Sequence, residues 1–287
     1  MKKALLLFSG IAILILSSCS KNDGGTAPEQ VNGCSLTSVT NTVILHGAPE
    51  SWQESFTYDS QHKINRIDYE NRNSIDSDTL IYDKNKIYVA ARSYFYDPND
   101  PHKSVYTLDN RGRIVSSTDN YNQTSTVFSY NAEGFLSQKK ESYFGNQSLY
   151  RPNVIQLYSY MNGNLTKIIH QHIYGAEVRT INTITISYTN NKLKNVILFS
   201  KIFQPYFLLD RSLRNLMGFL GKGSKNLPSK IVMQMNYPNQ QNTETTEYTY
   251  QKDTKENVAG IYLVRSTLPY EVALITREHF SFNYNCN

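Results

Sequence analysis

Apolar and polar residues alternate through short segments along most of this chain, and many of the segments end at Asn, Asp or Gly. The clearest example is Phe128-Ser-Tyr130, which is followed by Asn131-Ala-Glu-Gly134 and then by Leu136. Alternation with a period of two predicts β-strands with one buried face. Asn and Gly tolerate the positive φ angles of a tight turn. We therefore predict a β-hairpin at this stretch.

The hairpin pattern occurs in six clear copies and in a seventh, degenerate copy over residues 248–262. Successive copies are 22 to 30 residues apart, measured between the residues that end the first strand of each, namely Tyr58, Tyr82, Leu108, Tyr130, Tyr160 and Tyr188. This period fits two strands and two turns, and one hairpin cannot bury its own apolar face. We expect neighbouring copies to pair edge to edge. The predicted fold is all-β, a curved antiparallel meander over residues 34–287.

The order Tyr-Asp-x-x-Gly-Arg-Leu/Ile in these copies resembles the YD repeat of RHS-type proteins. Gly stands at the usual position only in the copies around 112 and 134. The other copies have Lys63, Lys86, a shortened Asn162-Gly163 or Asn190-Asn191 there. Because Asn also tolerates the turn conformation, the resemblance implies the hairpin fold more strongly than it implies a function.

The repeat pattern fails after residue 195. A helix is predicted over residues 208–219, since the apolar residues of this stretch have helical spacing; they are Leu209, Leu213, Leu216, Met217 and Leu220. We expect the helix to cover the apolar face or an open end of the sheet. Binding of a partner protein is the alternative for this helix.

The N-terminus has the pattern of a secretory signal. Lys2 and Lys3 precede an apolar run over residues 4–16, which is shorter than the roughly 20 residues of a membrane span. The run ends in Leu16-Ser-Ser-Cys19, which resembles the lipobox of bacterial lipoproteins. The resemblance implies cleavage of a signal peptide (1–18), acylation of Cys19 and a flexible tether over 19–33. An ordinary secretory signal with a chance cysteine is the alternative.

A lipobox followed by YD-like repeats is similar to uncharacterised repeat lipoproteins of Gram-negative gut commensals. The resemblance implies an outer membrane lipoprotein, periplasmic or surface-exposed, in which the lipid on Cys19 binds the membrane. In the usual sorting rule for such proteins, Ser20 directs the protein to the outer membrane. We also expect no bound cofactor.

The charge of the chain does not favour a nucleic-acid partner. The formal net charge is +5, and it falls to +3 without Lys2 and Lys3. The basic residues are scattered, whereas nucleic-acid binding requires a clustered basic surface.

Two cysteines lie near the two ends of the predicted domain, Cys34 and Cys286. In an oxidising envelope compartment they could form a disulfide bond. Two free thiols are the alternative, and the sequence leaves both open.

Candidate chemistry is sparse. His170 and His172 lie on one face of a predicted strand and form a potential pair of metal ligands, but no third ligand is adjacent. The acidic stretches Asp76–Asp78 and Asp97–Asp100 do not follow a calcium-loop pattern, so we interpret them as solvated turns. No GxSxG, HExxH or CxxC motif occurs.

These observations favour a non-enzymatic binding module for a glycan or an envelope protein. The 22 tyrosines are the main resource for binding, because exposed rings can stack on sugars. The alternative role for these rings is to cover the core as cross-strand pairs. The alternative function is an envelope hydrolase whose carboxylates meet only in the folded protein.

Overall fold

The structure is a computed structural model that describes residues 34–45, 48–71, 74–92, 102–120, 122–192, 216, 219–237, 240–254, 257–268 and 274–286. The predicted signal peptide, Cys19, the tether, Asp97–Asp100 and most of the predicted helix at 208–219 lie outside these residues. No helix within the described ranges has the length and hydropathy needed to cross a bilayer.

The described residues form sixteen β-strands and one short 3₁₀ helix (Gly145–Leu149). The strands are β1 (Cys34–Leu45), β2 (Ala48–Tyr58), β3 (Ile64–Asn71), β4 (Ser74–Asp83), β5 (Lys86–Arg92), β6 (His102–Leu108), β7 (Ile114–Asp119), β8 (Thr124–Tyr130), β9 (Leu136–Tyr143), β10 (Asn153–Met161), β11 (Asn164–Tyr174), β12 (Glu177–Lys192), β13 (Asn226–Tyr237), β14 (Gln240–Lys252), β15 (Val258–Leu268) and β16 (Leu274–Cys286).

Each strand pairs antiparallel with its neighbours in the chain, and β16 pairs with β1. The predicted curved antiparallel meander is therefore confirmed, and the structure adds that the sheet closes into a barrel. Closure pairs both edges of the sheet, which would otherwise present unpaired backbone groups. Phe282-Asn-Tyr284 in β16 repeats the aromatic pattern of Phe56-Thr-Tyr58, so the last strand is an eighth member of the series.

The hairpin turns show why Asp or Asn follows the tyrosine. At the turn after β8, the Asn131 side-chain oxygen accepts a hydrogen bond from the Phe135 N–H at 2.9 Å, and Gly134 has a φ of +90°. At the turn after β2, Asp59 bonds the Lys63 N–H in the same way, and His62 has the positive φ, +59°. The prediction that Lys63 stands at the glycine position is wrong by one residue, because His62 adopts the left-handed conformation.

Six tyrosines at or near the ends of even-numbered strands form a regular set of hydrogen bonds inside the barrel, which we call the tyrosine ladder. Each hydroxyl donates to a backbone carbonyl near the start of the preceding strand, at 2.6 to 3.0 Å. The pairs are Tyr58–Leu36, Tyr82–Ile64, Tyr130–Ile114, Tyr188–Leu165, Tyr250–Pro228 and Tyr284–Val258. These rings are half-buried against the hydrophobic core. Their role in the structure is to cover the core and fix the strands.

The two ends of the barrel differ. We call the end with the ladder the turn end; there, β1 begins at Cys34 and β16 ends at Cys286. Residues 219–226 cross this end: Phe219 lies 6.1 Å from the Tyr82 ring, measured between ring centroids, and the Lys225 N–H donates to the Gly163 carbonyl. Leu216, Phe219 and Leu220 are buried in the core. These residues of the predicted helical stretch close the turn end, while the helix itself lies outside the described residues.

Candidate functional site

The inward face of the barrel changes from apolar to polar with distance from the turn end. Next to the ladder, the inward side chains are buried Ile, Leu, Phe and Tyr residues. Towards the opposite end, which we call the distal end, the buried residues include Asp78, Lys139, Gln156, His170 and Asn242. Buried polar side chains are costly unless they are paired. The distal half is therefore the candidate functional region.

Four polar side chains are in register across β9, β10, β11 and β12. Gln156 is paired with Lys139 on one side and with His170 on the other, and His170 is paired with Asn182. We call these four residues the polar row. Lys139, Gln156 and His170 are only 3%, 0% and 5% exposed. The row borders the apolar core, because Phe128 is paired with Lys139.

Three atoms of the polar row are buried without a hydrogen-bond partner. Gln156 accepts the Tyr158 hydroxyl at 2.9 Å through Oε1, while its amide nitrogen has no partner. The Asn182 amide nitrogen lies 3.4 Å from His170 Nδ1, which makes Nδ1 an acceptor and places the ring proton on Nε2. His170 Nε2 and Asn182 Oδ1 are then an unpartnered donor and an unpartnered acceptor.

His170 is neutral at pH 7. Burial lowers its pKa to about 4, and nearby His172 and Lys139 add to this effect, whereas Glu141 opposes it. Burial also lowers the pKa of His172. Lys139 keeps a partner, because its ammonium lies 3.0 Å from a Glu141 carboxylate oxygen.

Aromatic and charged side chains follow the polar row on its distal side. The Tyr143 hydroxyl donates to Glu141 at 2.9 Å, and burial and the Glu141 charge raise the Tyr143 pKa. The Arg151 guanidinium lies over the Tyr143 ring at 5.4 Å, and Arg179 lies over the Tyr174 ring at the same distance. Large exposed side chains, Phe144, Leu149 and Tyr150, lie in the same region. We call this group the distal rim.

A second charged cluster lies on β14, β15 and β16, which are separated from the polar row by β13. Arg265 of β15 contacts Glu244 of β14 at 3.3 Å and Glu278 of β16 at 3.5 Å. Burial raises the pKa of Glu244, Arg265 lowers it and Glu278 raises it, with a net increase. Two carboxylates therefore meet at one guanidinium.

His170 and His172 lie on the inward face with ring centroids 4.9 Å apart, and the described residues contain no cluster of three or more potential metal ligands. The interpretation of Asp76–Asp78 as a solvated turn was wrong. Both aspartates lie within β4, and Asp78 is 1% exposed and accepts the Tyr69 hydroxyl at 2.8 Å.

The backbone places the two remaining cysteines opposite each other. Cys34 and Cys286 are register partners on β1 and β16, at the seam that closes the barrel. Cys19, the predicted lipidation site, lies outside the described residues.

Lys139, Gln156 and Arg265 are not among the candidate residues predicted from the sequence. A signal for Lys139 was present in the repeat. The third residue after the first apolar residue of the return strand is Ile67 after Ile64 and Ile168 after Leu165, but it is Lys139 after Leu136. A charged residue at a position that is apolar in those two copies marks the point where the core gives way to the polar row.

No protein-family model matches the chain, and no curated protein matches it. Among solved structures, it is similar to a porin-like protein from Bacteroides uniformis, with a TM-score of 0.61 and 16% sequence identity, over 91% of this chain and 100% of that one. A porin-like protein from Bacteroides vulgatus is similar with a TM-score of 0.57 and 16% identity, over 87% and 98% of the two chains. At this identity, what the chain shares with these two proteins is the barrel fold.

Proposed function

We propose that this protein is a lipid-anchored protein of the bacterial outer membrane that binds a glycan in the distal half of its barrel, without catalysing a reaction. The observation that carries the proposal is the polar inward surface of that half, which combines hydrogen-bonding side chains with aromatic rings. This is the composition of a small-molecule site: apolar and aromatic walls with a few polar groups that fix orientation. Sugars suit such a site, because rings stack on their apolar faces and amides bond their hydroxyls.

The position at which β1 begins supports an orientation of the barrel with its distal half away from the membrane. β1 begins at Cys34 at the turn end, so a tether over residues 19–33 would connect the lipid to that end. Residues 219–226 close the same end. The distal half would then point away from the membrane, where an envelope glycan can reach it. Acyl chains on Cys19 would hold the protein stably, since each buried CH₂ contributes about 0.8 kcal/mol.

On β7, β8 and β9, the outer surface of the barrel supports a position in water beside the membrane. The outward side chains of β7, β8 and β9 are mostly polar, among them Ser116, Thr118, Ser125, Ser129, Gln138 and Lys140. A transmembrane barrel has the opposite arrangement, an apolar outer band and a polar interior. Although its two structural neighbours are named porin-like, we propose a tethered binding protein for this chain in place of a pore.

A glycan array tests the proposal, with a chain that begins at Ser20 and therefore contains every described strand. We expect binding to a restricted set of glycans, with dissociation constants that titration calorimetry can measure. Chemical crosslinking in intact envelopes provides the second arm. The proposal would be contradicted if no glycan on the array binds and crosslinking captures an envelope protein at the outer wall of the barrel.

One observation favours the alternative, an envelope hydrolase. Glu244 and Glu278 converge on Arg265, and the raised pKa of Glu244 suits a general acid. The test is hydrolysis of the array-positive glycan by wild type and by Glu244→Gln. The matched control is Glu247→Gln, because Glu247 lies on the same strand and is exposed. Suppose that wild type hydrolyses the glycan, that Glu244→Gln abolishes hydrolysis and that Glu247→Gln retains it. This result would establish the hydrolase and reject the non-enzymatic function.

A further inference from the structure

The unpartnered atoms of the polar row form a pattern that a ligand can match. The Gln156 amide nitrogen and His170 Nε2 are both donors, and the two residues are direct cross-strand partners. Side chains at such positions lie on the same face of the sheet, with Cβ atoms about 4.5–5.5 Å apart. Two neighbouring donors suit the two oxygens of a carboxylate. Asn182 Oδ1, the unpartnered acceptor beside them, suits a hydroxyl group.

The donors are neutral and favour a charged acceptor, while charges of both signs lie beside them. Lys139 lies next to Gln156 in the row and is ion-paired with Glu141, and the two have opposite effects on the His170 pKa. The carboxylate of Glu141 is already engaged by Lys139 and by the Tyr143 hydroxyl. A hydrogen bond from a neutral donor to a charged acceptor is stronger than one between neutral groups.

The distal rim favours a ring-shaped ligand. Tyr143 and Tyr174 each carry an arginine over the ring, and they lie on β9 and β11, on either side of β10. The Arg179 guanidinium is already ion-paired with Glu177 at 2.6 Å. Arg151 is therefore the guanidinium that offers an anionic group a second contact, beside the stacking surface of Tyr143.

We propose that the polar row and the distal rim of β9–β12 bind the carboxylate of an acidic sugar, with the Gln156 and His170 donors facing the carboxylate and Tyr143 or Tyr174 stacking on the ring. This inference rests on the proposed glycan-binding function and names the class of glycan. The His172 ring lies edge-on to His170 at 4.9 Å. It is the next inward side chain of β11 on the distal side of the row.

The test uses two sugars that differ only at carbon 6: D-glucuronate, which has a carboxylate there, and D-glucose, which has a hydroxymethyl group. The six histidines of the chain that begins at Ser20 are isotopically labelled for nuclear magnetic resonance. The His170 resonance is assigned with a His170→Asn variant. We expect glucuronate to shift the His170 signal in a saturable manner and to bind at least tenfold more tightly than glucose.

Matched variants test whether glucuronate binds at the polar row. Gln156→Glu replaces a donor by a negative charge with almost no change in size, and we expect it to weaken glucuronate binding at least tenfold. Gln138→Glu makes the same change on the outward face of β9, and we expect unchanged binding. If Gln156→Glu does not fold, His170→Asn provides the second interior variant and is expected to weaken binding as well.

The outcomes separate this inference from the proposed function. Equal binding of glucose and glucuronate would overturn the carboxylate subsite and leave glycan binding in place. No shift of the His170 signal with either sugar would overturn the subsite and indicate only a buried water at the polar row, while the glycan array decides the function independently. Equal weakening by Gln156→Glu and Gln138→Glu would also overturn it.

Discussion

The tyrosine ladder gives the sharpest prediction for stability. Tyr130→Phe removes one hydroxyl, which donates to the Ile114 carbonyl at 2.6 Å inside the barrel. The ring and its contact with Arg113, 4.2 Å from the ring centroid, remain. A hydrogen bond of this kind contributes about 0.5–1.5 kcal/mol net, with a larger cost if the carbonyl is left without a partner. We expect a loss of about 1 kcal/mol in the free energy of unfolding.

Urea unfolding measures this loss. With an m-value of about 2–3 kcal/mol/M, 1 kcal/mol lowers the midpoint by about 0.3–0.5 M without a change in m. The matched control is Tyr262→Phe, since the Tyr262 hydroxyl makes an exposed bond of 3.3 Å to Gln251, and its loss should cost less than about 0.5 kcal/mol. Tyr130→Phe combined with Tyr250→Phe should lose about 2 kcal/mol, because distant sites add. If Tyr130→Phe costs no more than Tyr262→Phe, the ladder does not stabilise the barrel.

Burial raises the pKa of Tyr58 to about 12, so its contribution to stability is complete below pH 10 and is lost as the pH rises from 10 towards 12; the urea midpoint should fall over this range, and a constant midpoint would contradict it. A disulfide between Cys34 and Cys286 would close a loop of roughly 250 residues and contribute about 5 kcal/mol in the entropic model, so reductant should lower the melting temperature; mass spectrometry that finds two free thiols rejects the bond. The His170 pKa should be about 4 by nuclear magnetic resonance, and an ordinary value near 6.5 would mean that the polar row is hydrated.

The sequence predicts the hairpins well because the information is local. Alternation specifies the inward face of each strand, and the Asx residue after Tyr130 or Tyr58 specifies the turn. Closure depends on a contact between β1 and β16, which no local pattern contains. Residues 282–284 repeat the Phe-x-Tyr pattern, and this repeat indicates that β16 belongs to the series of hairpin strands. The Tyr284 hydroxyl donates to the Val258 carbonyl, as the tyrosines of the other copies do to theirs.

The candidate site was less predictable than the fold. Its residues come from four strands and are in register only after the hairpins have paired. Of these, the sequence singled out His170 and His172 for their shared strand face, and this placement is correct. Their neighbours Lys139 and Gln156 were missed, because an isolated polar residue in a strand usually faces solvent. The burial that makes them informative exists only in the closed barrel.

The position at which a glycan binds distinguishes the distal half of the barrel from the turn end. Hydrogen–deuterium exchange of the chain from Ser20 with saturating D-glucuronate reports this position segment by segment. We predict slower exchange in residues 141–153 and 172–179 at the distal end, and no change at the turn-end hairpins over 131–136 and 160–165. Protection confined to the turn-end hairpins would contradict the claim that the distal half of the barrel is the binding site.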